Sequence, residues 1–245
     1  MLVGTGDPAT LLSPRAVAMD RLDTAPEVLE DVSVLQVLCE IDSSPECAML
    51  PPSLHPTLPP LLNWQAWRVP ESPWGAFDLA MTRIECRSGV RPRALLTQGY
   101  VDNREAARVL GERWGFGLEV AAVTFEHRYD ETRCEVNRHG ETILSIGLRD
   151  PEPLGMRDIQ YVSALHAARL ERGLRLIQCD TAYEPGRAER GTPLVDHFDA
   201  EQWGEPRLIP VYPVSASLSR GCVTLPKLRF VCRPDELAFT GTETI

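Results

Sequence analysis

Residues 100–119 have the sequence YVDNREAARVLGERWGFGLE, which carries clear signals for the start and the end of a helix. Asp102 and Asn103 have side chains that accept hydrogen bonds from the first backbone amides of a helix. Glu105 stands at the capping-box spacing from Asp102, so we predict a short helix over residues 104–113. The glycines that follow favour the left-handed conformation that ends helices.

Strand-forming residues surround this helix on both sides. Branched and aromatic residues predict strands at 32–41, 61–69, 75–85, 94–101, 119–127, 134–138, 142–148, 208–214 and 224–232. Turn residues at Tyr129-Asp130 and His139-Gly140 predict antiparallel connections. The proline-rich residues 51–60 exclude a regular helix or a central strand, because proline lacks the backbone donor.

One further helix is predicted over residues 157–172. Ile159, Val162, Leu165 and Leu170 recur there at helical spacing, and Gly173 follows as the expected C-cap. The whole pattern predicts a β-dominated α+β fold with few helices.

The composition restricts the class of partner. The 245 residues are 43% hydrophobic and 24% charged, which is typical of a soluble globular protein. No apolar run approaches the roughly 20 residues that a membrane helix needs, and the first residues do not resemble a secretory signal, so we expect a cytoplasmic protein. The net charge of -10 provides no basic surface for nucleic acid or anionic membranes. We therefore expect a small-molecule partner.

The chain is expected to contain one domain and no cofactor. Residues 1–30 lack periodicity and predict a loosely ordered N-terminal arm, and residues 31–245 predict a single domain. The seven cysteines are scattered without a C-x-x-C spacing, which argues against a disulfide framework and a zinc site. The sequence GTGDPA at residues 4–9 imitates a dinucleotide fingerprint, but no strand precedes it. We expect neither a metal nor an organic cofactor.

The segment Tyr100-Val101-Asp102-Asn103, followed by a short helix and Trp114-Gly115-Phe116, resembles the signature segment of the acetoacetate decarboxylase family. The likeness extends to LPPSL at residues 50–54, SPWGAF at residues 72–77 and TLP at residues 224–226. The resemblance implies an acetoacetate decarboxylase-like curved antiparallel sheet or barrel with few helices. It also implies a homo-oligomer.

The resemblance further implies that the family's catalytic groups are missing. The first lysine of a proline-lysine-lysine motif is the family's Schiff-base nucleophile. By gapless spacing, the second position of that motif falls on Leu118 and the third on Glu119. The two family glutamates of the site fall on Trp64 and Leu79, and the arginine that engages the substrate carboxylate falls on Val32. We expect no decarboxylation through a Schiff base at this site.

Apolar residues at four polar positions predict a pocket for an apolar ligand. The expected substrate-binding residues are Val32, Trp64, Asp78, Leu79, Tyr100, Trp114 and Leu118. The expected catalytic residues are Gln98, which would donate a hydrogen bond to a substrate carbonyl, and Glu119, which would act as a general base. The favoured hypothesis is a cyclase or isomerase of natural-product, polyketide-like biosynthesis that holds a hydrophobic unsaturated substrate in a reactive shape.

Two alternatives stay open. The first is a decarboxylase or an aldol-type lyase or dehydratase acting on a β-keto acid, and the second is a non-catalytic protein that binds a hydrophobic metabolite. The first alternative could use Lys227, the only lysine, but strand alternation predicts that its side chain points to solvent. His127, His139 and His166 are interpreted as surface or core-edge side chains rather than catalysts.

Overall fold

The structure is a computed structural model that describes residues 2–245. The strands are β1 (Val17–Ala18), β2 (Glu27–Ile41), β3 (His55–Pro56), β4 (Leu61–Val69), β5 (Phe77–Ser88), β6 (Arg91–Val101), β7 (Leu118–Val120), β8 (Ala122–His127), β9 (Glu131–Arg138), β10 (Glu141–Pro153), β11 (Ala164–Leu170), β12 (Gly173–Cys179), β13 (Ala182–Phe198), β14 (Pro210–Leu225), β15 (Phe230–Cys232) and β16 (Thr242–Thr244). The helices are α1 (Pro8–Leu11), α2 (Ser43–Met49), α3 (Arg104–Trp114), α4 (Ala200–Trp203) and α5 (Ala238–Gly241). The predicted β-dominated α+β fold is confirmed. None of these helices is long and apolar enough to cross a membrane.

The strands form one continuous sheet. Its order is β16-β15-β12-β11-β6-β5-β4-β2-β14-β13-β10-β9-β8, with β1 beside β11, β3 beside β5 and β7 beside β6. The pairings are antiparallel except those of β1 with β11, β6 with β11 and β6 with β7. In most of the sheet, strands that follow one another in sequence therefore lie side by side, as the predicted turns require.

Alternation along the strands buries side chains on both faces of the sheet. We use the name Trp67 face for the side of the sheet on which Val34, Trp67, Leu79 and Val101 pack. The Trp64 face is the opposite side, on which Leu35, Trp64, Ala80 and Tyr100 pack. Each face carries its own apolar cluster, and this explains why β4, β5 and β6 are almost wholly buried.

The helix predicted around residues 104–113 is confirmed as α3, but its cap differs from the prediction. Asn103 Oδ1 accepts hydrogen bonds from the backbone amides of Glu105 and Ala106 at 2.9 and 3.0 Å. The Asp102 carboxylate instead accepts from the backbone amide of Asp78 at 2.9 Å, so it ties the helix start to β5. Gly115 has a φ of 74° and ends the helix as predicted.

The second predicted helix is wrong. Residues 164–170 form strand β11, which pairs with β6 on one side and with β12 on the other. All but one residue of β11 are buried. A strand buried on both faces has a nearly continuous apolar run, which periodicity alone does not distinguish from a helix. Gly173, the expected C-cap, instead has a φ of 98° as the first residue of β12, directly after the turn that follows β11.

Two other expectations concern the ends of the chain. The strand predicted over residues 224–232 is interrupted: β14 ends at Leu225 and β15 begins at Phe230. Pro226, which cannot donate to a ladder, starts the interruption. The N-terminal segment makes backbone contacts with the domain, in which the amides of Gly4 and Gly6 donate to the carbonyls of Leu54 and Leu50.

Candidate functional site

The structure divides the predicted site residues between the two faces of the sheet. Val32, Leu79 and Trp114 belong to the cluster of the Trp67 face, and Leu118 packs against it. Trp64 lies on the Trp64 face, where its ring is 5.3 Å from that of Phe198. Trp64 and Trp67 are three positions apart along one strand, so their side chains point to opposite sides. The structure therefore brings Val32, Leu79 and Leu118 onto one face and places Trp64 on the other.

Asp78 lies at the start of β5, where strand alternation points its side chain to the face opposite that of Leu79. Its carboxylate Oδ2 accepts a hydrogen bond from the backbone amide of Phe125 at 3.1 Å, and its register partner on β4 is Arg68. Burial raises the pKa of the Asp78 carboxyl to about 6, although the charge of Arg68 opposes this rise.

Gln98 and Glu119, the two expected catalytic residues, contact each other. Gln98 Nε2 donates to Glu119 Oε1 at 2.9 Å, and the other Glu119 oxygen accepts from Arg138 at 3.2 Å. Tyr100 lies beside them, and its hydroxyl donates to the carbonyl of Trp203 at 3.1 Å. Glu119 is half-exposed, so this carboxylate is a solvated partner of Arg138 rather than a buried base.

These two residues line a cleft of about 480 Å³ between α3, β7 and residues 14–18. Phe116 and Leu118 line the same cleft and also pack on the Trp67 face. Gly99 leaves room for the side chain of Leu118, because a Cβ at position 99 would lie 2.6 Å from Leu118 Cδ2. The side chains of Phe116 and Leu118 therefore separate the cleft from the Trp67 face.

Phe116 and Leu118 form a wall between the cleft and the Trp67 face. Behind this wall lies a group of buried polar residues that the sequence analysis missed. We name it the Arg83 cluster, and it consists of Asn63, Gln65, Arg83, His166 and Tyr183. The first four have at most 1% of their surface exposed, and the ring of Tyr183 packs against the apolar residues of the Trp67 face. The register of β4 with β5 places Asn63 opposite Arg83, which brings the cluster together.

Gln65 is held by its carbonyl oxygen. Its Oε1 accepts from Trp67 Nε1 at 3.0 Å and from the Tyr183 hydroxyl at 3.2 Å. Burial raises the pKa of Tyr183, and the nearby charge of Arg83 opposes part of that rise. The tyrosine hydroxyl therefore keeps its proton at neutral pH and stays a donor to Gln65.

Arg83 is a buried cation with weak partners. Its guanidinium donates to Asn63 Oδ1 at 3.4 Å and to the carbonyl of Val162 at 3.5 Å, both at the long limit for a hydrogen bond. The carboxylate of Glu85 also interacts with its charge. A buried charge is costly unless it is paired and hydrogen-bonded, and Arg83 is only partly so.

His166 packs against the wall from the inside. Its ring lies 4.2 Å from the ring of Phe116, and its Nδ1 lies 2.8 Å from the carbonyl oxygen of Trp114. Burial lowers the pKa of His166 to about 4, and the charge of Arg83 adds to this effect. The imidazole is therefore neutral at physiological pH.

Three buried polar atoms of the Arg83 cluster have no hydrogen-bond partner among the described residues. They are Gln65 Nε2, Arg83 Nε and His166 Nε2. A buried polar atom without a partner costs about 1–3 kcal/mol, so their presence in one cluster calls for an explanation. Bound ligand atoms would supply the missing hydrogen bonds.

A surface segment covers the cluster from the other side. The Tyr161 ring stacks on that of Tyr183 at 4.0 Å, and its hydroxyl lies 2.5 Å from Ser219 Oγ. The carbonyl of Gln160 accepts from Gln36 Nε2 at 3.2 Å. This segment therefore closes the sheet over the Arg83 cluster.

Lys227 lies outside the site. It is exposed, in the short connection between β14 and β15. Since the chain has no other lysine, no lysine side chain reaches the Arg83 cluster or the wall formed by Phe116 and Leu118.

No family model and no curated protein matches the chain. Its structure is similar to that of acetoacetate decarboxylase from Legionella pneumophila, with a TM-score of 0.74 at 17% identity over 84% of this chain and 86% of that one. The enduracididine biosynthesis enzyme MppR gives 0.69 at 16% identity, over 87% of this chain and 90% of that one. An acetoacetate decarboxylase-like enzyme from Sphingomonas wittichii gives 0.68 at 15% identity, over 92% and 97%. The chain therefore has the acetoacetate decarboxylase-like fold, as the sequence resemblance implied.

Proposed function

We propose that the protein is a small-molecule enzyme of natural-product biosynthesis, a cyclase or isomerase that converts an apolar, unsaturated carbonyl compound without forming an imine on a lysine. One observation carries the proposal. The Arg83 cluster, on the otherwise apolar Trp67 face, contains three buried polar atoms without partners among the described residues, next to a cleft that opens to solvent. Apolar surroundings with a few placed polar groups are the usual form of a small-molecule site.

The polar groups would act on the carbonyl oxygen of the substrate. Arg83 Nε and Gln65 Nε2 are free donors, and donors that are held in place before the reaction stabilise negative charge that develops on oxygen. Tyr183 and Trp67 hold Gln65 in position through its Oε1. Polarising the carbonyl in this way would favour enolisation or ring closure on a conjugated chain.

The apolar part of the substrate would be held by aromatic side chains. Trp67, Trp114 and Phe116 belong to one cluster, and the rings of Trp67 and Phe116 lie 6.1 Å apart. Holding a flexible chain in its reactive shape lowers the barrier by removing the entropy cost, which is worth up to about 7–11 kcal/mol. A cyclisation or isomerisation can use this effect without a nucleophile.

The cleft would be the entrance. Phe116 and Leu118 would turn aside to join the cleft to the Arg83 cluster, and the outer part of the substrate would then lie against Gln98 and Glu119. In this arrangement Gln98 and Glu119 bind or activate the part of the substrate that stays in the cleft.

The similar structures support a carbonyl ligand in this fold. MppR is an enzyme of enduracididine biosynthesis, and it has been seen with pyruvate and with a condensation product of pyruvate and imidazole 4-carboxaldehyde. These are small carbonyl compounds bound by a protein of natural-product biosynthesis. They favour the same class of ligand here.

The proposal is tested by incubating the purified protein with linear polyene β-keto thioesters and, separately, with acetoacetate. Products are identified by chromatography with mass spectrometry, and borohydride is added to parallel samples before the intact mass is measured. We expect a product isomeric with the polyene precursor and no reduced adduct. Arg83→Met should abolish the product, and Gln98→Ala should weaken it.

Three results would contradict the proposal. A reduced adduct that disappears in Lys227→Ala would indicate amine chemistry on that residue. Release of carbon dioxide from acetoacetate would indicate a decarboxylase. Tight binding of the polyene with no conversion would indicate a carrier protein.

A further inference from the structure

We infer that the compound bound in the Arg83 cluster carries a hydroxyl group as well as a carbonyl group, and that His166 Nε2 recognises the hydroxyl. The inference rests on the proposed function, because it concerns the ligand of the same site. It goes further by naming a second functional group that the ligand must have.

The orientation of His166 is fixed by its neighbours. Nδ1 faces the carbonyl oxygen of Trp114, and a carbonyl oxygen only accepts hydrogen bonds, so Nδ1 carries the proton. The ring is packed against Phe116 at 4.2 Å and is fully buried. Nε2 is therefore a lone-pair acceptor in a fixed position, without a partner in the described residues.

His166 keeps this acceptor over the whole physiological pH range. Burial and the charge of Arg83 lower its pKa to about 4, and the hydrogen bond to Trp114 only partly opposes this. A neutral imidazole with a protonated Nδ1 cannot donate from Nε2. A ligand group that meets Nε2 must therefore be a donor.

The other two free atoms have the opposite requirement. Gln65 Nε2 and Arg83 Nε are donors, so they need an acceptor such as a carbonyl oxygen. The three atoms belong to one connected group: Phe116 touches His166 and lies 6.1 Å from Trp67, which donates to Gln65. Gln65 shares Tyr183 with Arg83.

A ligand that meets all three atoms must carry both a hydrogen-bond acceptor and a hydrogen-bond donor. A hydrocarbon would leave all three without partners, and a plain ketone or a carboxylate would leave Nε2 of His166 unsatisfied. A hydroxy ketone supplies an acceptor for the two donors and an O–H for the imidazole. A buried atom left without its partner weakens binding by about tenfold to a hundredfold.

The test uses two ligands that differ by one hydroxyl group. They are benzylacetone and its β-hydroxy derivative, the aldol of benzaldehyde and acetone. Isothermal titration of the full chain should show the hydroxy ketone binding about tenfold to a hundredfold more tightly. Equal affinity for the two ligands would overturn the inference.

Two variants test whether His166 makes the distinction. His166→Asn keeps an amide N–H for the Trp114 carbonyl but has no atom at the place of Nε2, so the preference for the hydroxy ketone should disappear. His166→Gln extends further and can present its amide oxygen near that place, so part of the preference should return. Circular dichroism spectra and urea unfolding midpoints of both variants, compared with those of the natural chain, are the control for correct folding.

Other outcomes separate the inference from the proposed function. Preferential binding of the hydroxy ketone without turnover of any compound supports the recognition by His166 and contradicts the proposed enzyme. Turnover of a polyene, without a preference for the hydroxy ketone, supports the proposed enzyme and contradicts the recognition by His166. A crystal structure of the hydroxy ketone complex in which a water molecule occupies Nε2 would overturn the inference, because buried water alone would then satisfy the imidazole.

Discussion

Replacing Arg83 with methionine should abolish ligand binding without loss of stability. Arg83 is 1% exposed, and its two hydrogen bonds of 3.4 and 3.5 Å are long. Burying a charge that has poor hydrogen-bond partners costs several kcal/mol, and a methionine at position 83 removes that cost. The change also leaves Asn63 Oδ1 without this donor, which costs about 1–2 kcal/mol.

The net change in the free energy of unfolding is therefore expected between about 0 and +2 kcal/mol. For a chain of this size, that corresponds to a rise in Tm of up to ~8 °C. The measurement is urea unfolding and thermal melting followed by circular dichroism, with benzylacetone titration on the same samples. Loss of binding at unchanged or higher stability is the result expected for a residue kept for function.

Arg93 provides the matched control. It is also buried, at 5% exposure, but its guanidinium donates to Asp180 at 2.6 Å and to Gln178 at 3.1 Å. Arg93→Met should lose about 1–3 kcal/mol, because it leaves these partners unpaired. If Arg83→Met is destabilised as much as Arg93→Met, the buried charge of Arg83 is structural and the reasoning fails.

Three further changes test the surroundings of the site. Leu118→Lys should form an adduct with acetoacetate that borohydride traps, because burial near the Arg83 cation lowers the pKa of an amine. The adduct is measured as an increase in intact mass that the natural chain does not show. Gly99→Ala should lose about 1–3 kcal/mol of stability, since its Cβ would meet Leu118 Cδ2 at 2.6 Å, and a double-mutant cycle with Leu118→Ala should recover most of the loss. The pKa of the Asp78 carboxyl rises from 3.8 to about 6, so between these pH values the folded chain holds a proton that the unfolded chain releases. The free energy of unfolding should therefore fall as the pH rises from 3.8 to about 6. Urea unfolding should show a smaller fall in Asp78→Asn.

Local signals were sufficient for much of the fold. The helix α3 was predicted because a capping side chain stands at its start and Gly115 stands at its end. Strand β4 was predicted at its observed limits, Leu61–Val69, from its branched and aromatic residues. These features depend on neighbours in sequence, and such features are visible without a structure.

The Arg83 cluster could not be recognised in the same way. Asn63 and Gln65 alternate with apolar residues along β4, and alternating polar residues in a strand normally indicate a solvent-facing side. Arg83, on the next strand, shows the same ordinary pattern. Only the register, which pairs Asn63 with Arg83, reveals that these polar side chains share one buried face. Polar residues at matching positions of neighbouring strands are the signal that could have found them.

His166 was misjudged because its segment was predicted as a helix. On a helix it would lie beside Leu165 at a partly exposed edge. On β11, which is buried on both faces, Leu165 and His166 point to opposite sides and the imidazole enters the Trp67 face. One wrong secondary structure assignment therefore concealed one of the three unpartnered polar atoms.

The alternation of side chains along β4 also changes the chemistry that we expect at the site. Gapless spacing placed a family glutamate on Trp64, but Gln65, one residue later, is the side chain that shares a face with Leu79. A shift of one residue in a strand moves a side chain to the other face. The Arg83 cluster then contains a neutral amide beside the Arg83 cation, where the family has carboxylates around a lysine. Carboxylates favour a cationic imine, whereas an amide and a guanidinium favour negative charge on a carbonyl oxygen. The proposed reaction therefore replaces the imine with a hydrogen-bonded oxyanion as the group that accepts electrons.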